Sequence, residues 1–163
     1  MENTLLTDDV AGLRRVLQAG RVIAVVGLSA DSNRPSHLVA KYLLERGYRI
    51  IPVNPRESEI LGQKCYARLT DIPEPVDIVD CFRRAQDIGP IAEDAIAIRA
   101  KTLWLQLDIR NETAEQRALA AGLDVVVDRC VKIEYARLFG DVPWPGGNSG
   151  SIACTRPPSP LVV

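Results

Sequence analysis

The stretch of residues 21–37, RVIAVVGLSADSNRPSH, constrains the fold more than any other part of this chain. Its apolar β-branched run ends at Gly27, a loop of small polar residues follows, and Pro35 begins a helical pattern. A strand, a tight turn and a helix N-terminus in this order open the βαβ unit of nucleotide-binding α/β proteins. The sequence therefore predicts a ligand site above the end of this first strand.

Strand-like and helix-like segments alternate along the rest of the chain. After the first strand at residues 22–26, further apolar runs predict strands at residues 48–53, 76–82, 102–107 and 123–127. Fully apolar strands flanked by helices are typical of a buried parallel sheet. We predict an α/β fold, a Rossmann-type doubly wound parallel sheet of five strands in the order 3-2-1-4-5, with helices on both faces.

Composition limits the classes of partner. The 163 residues carry a formal net charge of −1, so no overall field favours nucleic acid or an anionic membrane. Every apolar run is far shorter than the roughly 20 residues that span a bilayer. Residues 1–140 are predicted to form a single domain, and residues 141–163, rich in Pro, Gly and Ser, a flexible C-terminal tail.

The cysteines and the N-terminus predict a compartment. No basic patch followed by an apolar stretch begins the chain, so a secretory signal is not expected. The four cysteines are scattered, without the spacing of a zinc site or a redox dithiol: Cys65, Cys81, Cys130 and Cys154. This pattern indicates reduced thiols in a cytoplasmic protein and no metal site.

The loop after the first strand is the first candidate binding segment. Gly27 permits a sharp turn, and the small Ser29 allows backbone N–H groups to approach a phosphate. Arg34 and Ser36 could add side-chain donors beside the helix N-terminus. Serines stand where the second and third glycines of G-x-G-x-x-G would be, so an ordinary capped helix is the alternative.

The segment after the second strand argues against a plain NAD site. NAD-binding proteins carry Asp or Glu here, which accepts a hydrogen bond from the ribose 2′-hydroxyl. This chain has Asn54, Pro55 and Arg56 instead, which would tolerate or attract a phosphorylated ribose. A simple turn is the alternative interpretation.

The segment after the third strand joins an aromatic ring to two cations. Phe82, Arg83 and Arg84 would suit an adenine face and phosphate groups. A solvated basic pair at a helix start is the alternative, although the helix dipole would slightly oppose it.

Cys130 is the candidate thiol. Asp128 is predicted as the N-cap of the last helix, with Cys130 in its first turn. The neighbouring Arg129 and Lys132 would favour a reactive thiolate, whereas a buried structural cysteine is the commoner case.

Several motifs together resemble the small stand-alone CoA-binding proteins of the CoA-binding domain family, often called YccU-like. From about Arg21 to Leu138 they are VVGLS…RPSHLVAKYL, GYRIIPVNPRESEILG, DIPEPVDIVDCFRR, WLQLDI and VVVDRCVKIEYARL. The same domain type resembles the N-terminal part of the succinyl-CoA synthetase α subunit. The resemblance implies coenzyme A as the ligand and matches all the segments above, Cys130 included. It departs at Asp108, where family members commonly carry Gly.

The leading hypothesis is therefore a non-catalytic protein that binds CoA or acyl-CoA. Alternatives are an NAD(P)-binding redox or sensor protein, an accessory subunit of a CoA ligase, and an interaction protein with a vestigial crevice. His37, the single histidine, has no carboxylate partner apparent in the sequence, which favours a helix-start or packing role over catalysis. No enzyme activity of the chain alone, and no nucleic-acid or membrane partner, is expected.

Overall fold

A computed structural model of the chain describes residues 5–140. In chain order its strands are β1 Val22–Val26, β2 Arg49–Val53, β3 Glu59–Ile60, β4 Gln63–Lys64, β5 Ile78–Cys81, β6 Thr102–Leu105 and β7 Asp124–Val126. Its helices are α1 Val10–Ala19, α2 Pro35–Glu45, α3 Ile88–Ala97, α4 Glu112–Ala120 and α5 Val131–Phe139. The predicted tail, residues 141–163, lies outside the described residues.

Five of these strands form one parallel sheet in the order β2-β1-β5-β6-β7, which confirms the predicted Rossmann-like class. The predicted strand order is wrong. Counting only these strands along the chain, the observed order is 2-1-3-4-5 rather than 3-2-1-4-5. The third strand, β5, pairs with β1 and not with β2.

The connection between β2 and β5 explains the observed order. It forms the β3-β4 hairpin, and Tyr66 then occupies the outer edge of β2 through hydrogen bonds with Pro52 (3.0 Å) and Asn54 (2.9 Å). At the end of this connection, just before β5, the Asp77 carboxylate accepts hydrogen bonds from the backbone N–H groups of Arg21 and Val22 at 2.8 and 3.0 Å. The outer edge of β2 is thus covered, and β5 is anchored beside β1.

Helices pack on both faces of the sheet, as predicted. On one face, α1, α2 and α5 bury Leu13, Leu43 and Val131 in a core that includes Trp104 of β6. On the other face, α3 and α4 bury mainly alanines against the sheet, Ala92 and Ala118 among them. Because α2 and α5 each follow a strand of the parallel sheet, β1 and β7 respectively, both of their N-termini lie at its carboxyl edge.

The start of α5 differs from the sequence prediction. Cys130, not Asp128, is the N-cap residue. Asp128 has a left-handed backbone (φ 55°), and its Oδ1 accepts a hydrogen bond from the Asp108 N–H at 2.7 Å. The Val131 N–H of the first turn instead donates to Gln106 Oε1 at 3.2 Å. The Asp128 carboxylate is therefore used to join two loops rather than to cap a helix.

Among residues 5–140, no helix combines the length and the hydropathy required to cross a bilayer. Cys65, Cys81 and Cys130 are each buried and free of disulfides, and Cys154 lies beyond the described range. Within that range, no three His, Cys, Asp or Glu side chains are grouped so that they could hold a metal ion.

Candidate functional site

The strand order reverses between β1 and β5, because the chain leaves β1 toward β2 on one side and leaves β5 toward β6 on the other. Parallel sheets bind ligands outside the carboxyl ends of the strands at such a switch point. A cleft of about 360 Å³ lies there. We call it the carboxyl-edge cleft; its lining residues are Gly27, Ser29, Arg34, Pro35, Ser36 and Phe82.

The N-terminus of α2 faces this cleft without a side-chain cap. Arg34 is the N-cap residue, and its side chain makes no capping hydrogen bond. Pro35 at the first helical position has no N–H, and the N–H groups of His37 and Leu38 donate to the Arg34 carbonyl at 3.0 and 3.1 Å. Within residues 5–140 the Ser36 N–H has no hydrogen-bond partner. An unpaired donor at the positive end of a helix dipole favours an anionic ligand.

Gly27 forms the floor of the cleft where β1 ends. Its φ of 88° lies in the region that favours glycine. A Cβ atom added here would lie 2.9 Å from Arg83 Cδ and 3.0 Å from the Phe82 carbonyl oxygen. Conformation and close approach therefore both require glycine at this turn.

Side chains of α2 contact both backbone polar groups of Ser29. Its N–H donates to Ser36 Oγ at 2.9 Å, and its carbonyl oxygen lies 2.9 Å from His37 Nδ1. Its own hydroxyl accepts from the Asp31 N–H at 3.0 Å. The Ser29 N–H is therefore already engaged within the protein, and a phosphate at this loop would be bound by other donors. The Ser36 hydroxyl can still donate its hydrogen into the cleft.

The arginines after β5 share one acid. Arg83 Nη2 and Arg84 Nε lie 3.6 and 3.3 Å from the same oxygen, Asp87 Oδ2. The Arg84 side chain is 73% exposed, whereas Arg83 packs its Cδ beside Gly27. One carboxylate cannot neutralise two guanidinium groups, so the cluster of Arg83, Arg84 and Asp87 keeps a net positive charge. Sequence reasoning missed Asp87, although its spacing of three and four residues from the arginines is the signal for such a pair.

Asn54 links the loops after β1 and β2. Its Nδ2 donates to the Leu28 carbonyl at 2.9 Å, and its Oδ1 accepts from the Arg56 N–H at 2.8 Å. Both ends of the amide are thereby engaged within the protein. Pro55 and Arg56 are exposed and are not part of the cleft lining. The sequence predicted this segment as part of the binding site, and the structure assigns its side-chain amide a bracing role.

We expect Asn54→Asp to destabilise the protein rather than to create an NAD site. A carboxylate at this position would face the Leu28 carbonyl oxygen, so a hydrogen bond would be replaced by repulsion. The expected loss is about 1–3 kcal/mol of unfolding free energy at neutral pH. Urea unfolding measures it, with Asn54→Ala as the control that removes the bond without adding charge. An Asp variant as stable as the unaltered protein would contradict the bracing role.

Cys130 lies apart from the cleft lining. It is 3% exposed at the start of α5. The Arg129 guanidinium donates to Asp8 (2.6 Å) and to the Asp128 carbonyl (2.8 Å), and Lys132 Nζ lies 5.0 Å from the centre of the Tyr42 ring. The Arg129 guanidinium, one of the two basic groups expected to activate the thiol, is therefore directed to other groups.

The backbone conformation at Asp108 shows how the protein accommodates Asp where family members commonly carry Gly. Its φ of 66° is in the left-handed region, where glycine is unstrained. Asp tolerates this conformation better than most residues do, and the bond from its N–H to Asp128 supports it. The turn after β6 thus keeps a shape suited to glycine while carrying an exposed carboxylate.

A second cleft, of about 420 Å³, lies at the opposite, amino edge of the sheet. Its lining includes Arg21, Arg46, Gly47, Tyr135 and Phe139. The carboxyl-terminal ends of α2 and α5 lie there, and their carbonyl groups make the negative ends of the helix dipoles. Despite its two arginines, this amino-edge cleft is less suited to a phosphate than the carboxyl-edge cleft.

These features define a Rossmann-like α/β protein with a cationic cleft at its switch point. The sequence model of the CoA binding domain matches residues 21–136, and the chain belongs to this family. It is 40% identical over 126 residues to the uncharacterized protein YneT of Bacillus subtilis (strain 168), covering 77% of this chain and 93% of YneT.

Solved structures and larger enzymes extend the comparison. A hypothetical protein from Pyrococcus horikoshii OT3 has a TM-score of 0.81 and 38% identity, covering 86% of this chain and 99% of that one. An ADP-forming acetate–CoA ligase II of Archaeoglobus fulgidus is 38% identical over 58 residues, which are 34% of this chain and 9% of the ligase. The domain is therefore related to part of the CoA ligases and occurs in small proteins.

Proposed function

We propose that this protein binds coenzyme A, free or acylated, at the carboxyl-edge cleft and catalyses no reaction by itself. The observation that carries the proposal is the uncapped N-terminus of α2, whose Ser36 N–H has no partner within residues 5–140, beside the surplus guanidinium charge of Arg83 and Arg84. Membership of the CoA binding domain family supports the same ligand.

The chemistry of coenzyme A matches the residues around the cleft. Its diphosphate suits the Ser36 N–H and the dipole of α2. Its 3′-phosphate suits Arg34 or Arg83, and its adenine suits the apolar face of Phe82. Each charge-assisted contact supplies about 1.5–3 kcal/mol before costs. At the upper end of this range, three such contacts supply about 9 kcal/mol, which allows a dissociation constant of about micromolar order.

The residues after β2 disfavour NAD as the ligand. No carboxylate follows β2 directly, and the Asn54 amide is occupied by Leu28 and Arg56. The neutral Asn54 amide, whose Oδ1 already accepts one hydrogen bond, is therefore a weaker acceptor for a ribose 2′-hydroxyl than a carboxylate would be. The exposed Arg56 leaves NADP as the ligand to be tested in competition.

The proposed lack of catalysis rests on the groups around the cleft. His37 Nδ1 is engaged by a backbone carbonyl, and the Cys130 thiol is buried outside the cleft lining. A nucleophile and a general base within hydrogen-bond reach of each other are required for covalent catalysis. No such pair lines the cleft among the described residues.

A second proposal is that the protein serves as the CoA-binding subunit of a ligase. The 58 residues shared with the Archaeoglobus fulgidus ligase favour it. In that case a partner would supply the acyl-activating groups. Co-purification of a ligase subunit with the tagged protein would support this role.

We expect Arg83→Ala to weaken binding of coenzyme A by at least tenfold, because the loss of one charge-assisted contact costs about 1.5–3 kcal/mol. Arg15→Ala is the control. Its side chain is 57% exposed and pairs with Asp124 at the start of β7, away from the cleft, so we expect a change of less than about threefold. Isothermal titration with coenzyme A, dephospho-CoA and NADPH measures the affinities.

The comparison of ligands tests the proposal itself. Coenzyme A should bind more tightly than dephospho-CoA and should displace NADPH. Equal affinity for coenzyme A and dephospho-CoA would contradict the assignment of an arginine to the 3′-phosphate. If no ligand binds, the cleft is vestigial and the proposed function is wrong.

A further inference from the structure

Two consecutive residues of α2 hold both backbone groups of Ser29. Ser36 Oγ accepts the Ser29 N–H, and His37 Nδ1 lies 2.9 Å from the Ser29 carbonyl oxygen. A carbonyl oxygen can only accept a hydrogen bond, so Nδ1 must carry the hydrogen. The bond therefore fixes the imidazole as a donor to the loop, and in the neutral ring Nε2 carries the lone pair.

The hydrogen bond between His37 and Ser29 is the first of a series of hydrogen bonds that leads to the carboxyl-edge cleft. The Ser29 hydroxyl accepts from the Asp31 N–H at 3.0 Å, and the Asp31 carbonyl accepts from the Arg34 N–H at 3.0 Å. Arg34 is both the N-cap of α2 and a lining residue of the carboxyl-edge cleft. The position of the imidazole is thus coupled to the residue at the mouth of the cleft.

Other bonds to this loop do not replace the contact with His37. Asn54 holds Leu28, and the Asp31 carboxylate holds the Asn33 N–H. Neither restrains the peptide group between Ser29 and Ala30, whose carbonyl His37 binds. Without the imidazole, that peptide could rotate and carry the Asp31 turn with it.

We propose that His37 is a positioning residue of the carboxyl-edge cleft: its Nδ1–H fixes the Ser29 carbonyl, so that the loop presents Arg34 and the Ser36 N–H in a preformed arrangement. The proposal rests on the proposed function, since it concerns the same cleft. A preformed site binds more tightly because less ordering is required on binding.

The test uses three variants of the full chain. The side-chain NH₂ of Asn takes the position of the imidazole Nδ1, whereas the NH₂ of Gln takes the position of Nε2. Leu has no hydrogen-bond donor in its side chain. Titration with coenzyme A should give His37→Asn an affinity within about threefold of the unaltered protein. His37→Gln and His37→Leu should bind about five- to tenfold more weakly, the loss expected for one hydrogen bond.

Amide hydrogen exchange of the unliganded proteins provides a second measurement that needs no ligand. The Asp31 and Arg34 amides should exchange faster in His37→Leu and His37→Gln, and at the original rate in His37→Asn. Thermal unfolding verifies that each variant is folded.

Rescue by Asn but not by Gln, in both measurements, supports the proposal. Equal behaviour of all three variants, whether as tight as the unaltered protein or equally weak, would overturn it. If the unaltered protein binds no coenzyme A, the proposed function fails, and the exchange of the Asp31 and Arg34 amides alone decides whether His37 positions the loop.

Discussion

Replacing Gly27 with Ala is expected to destabilise the protein by about 3 kcal/mol and to abolish binding at the carboxyl-edge cleft. A left-handed conformation costs a residue with a Cβ about 1–2 kcal/mol. The added methyl group would also lie 3.0 Å from the Phe82 carbonyl oxygen, which belongs to the backbone and cannot easily move. Such crowding costs about 1–3 kcal/mol more. Urea unfolding and titration with coenzyme A measure the two effects.

Gly47→Ala is the matched control for this variant. Gly47 has a φ of 97°, and a Cβ atom placed there meets nothing within 4 Å. The Gly47→Ala variant should therefore lose only the conformational cost of about 1–2 kcal/mol in unfolding free energy, and it should still bind coenzyme A. Equal losses in the two variants would show that Gly27 is not crowded and would contradict the described floor of the cleft.

Replacing Asp80 with Asn is expected to stabilise the protein at neutral and alkaline pH. Asp80 lies in β5 between Val25 and Trp104 and is 0% exposed, and among the described residues neither carboxyl oxygen has a hydrogen-bond partner. Burial raises the pKa of this carboxyl well above its ordinary value. Because the folded-state pKa exceeds the unfolded-state value, the unaltered protein loses stability as pH rises from about 4 toward the folded-state pKa.

Comparing the unfolding free energies of the Asn variant and the unaltered protein over a range of pH isolates the contribution of the Asp80 carboxyl. The Asn variant cannot ionise, so its advantage should be absent near pH 4 and should exceed about 1 kcal/mol at pH 8, since each pKa unit corresponds to about 1.4 kcal/mol. Other acids act in the opposite direction: the hydrogen-bonded Arg49 guanidinium lowers the pKa of Glu74, whose contribution is lost as pH falls. An advantage of the Asn variant that does not change with pH would contradict the raised pKa of the buried Asp80 carboxyl.

Much of the fold follows from local sequence. The apolar runs predict the strands, and Asp9 and Asn111 cap α1 and α4 as their residue types indicate. The strand order does not follow in this way, because the place of β5 depends on hydrogen bonds between distant residues. The Asp77 carboxylate binds the backbone at Arg21 and Val22, 56 and 55 residues away, and no local pattern records that contact.

The candidate site could be predicted in part. The sequence indicated the loop of Gly27, Ser29, Arg34 and Ser36, and the structure brings these residues together with Phe82. It could not indicate which polar groups are free. Asn54 and Ser29 both look like ligand donors in the sequence, yet partners that only the fold supplies engage the Asn54 amide and the Ser29 N–H.

The central claim is that coenzyme A binds where the α2 N-terminus meets the ends of β1 and β5. The most direct test is a titration of ¹⁵N-labelled protein with coenzyme A, followed by amide chemical shifts. We expect the largest shifts on residues 28–34, the Ser36 N–H and residues 82–84. Shifts concentrated at the amino-edge cleft, around Arg21, Gly47 and Phe139, or no shifts at millimolar ligand, would contradict it.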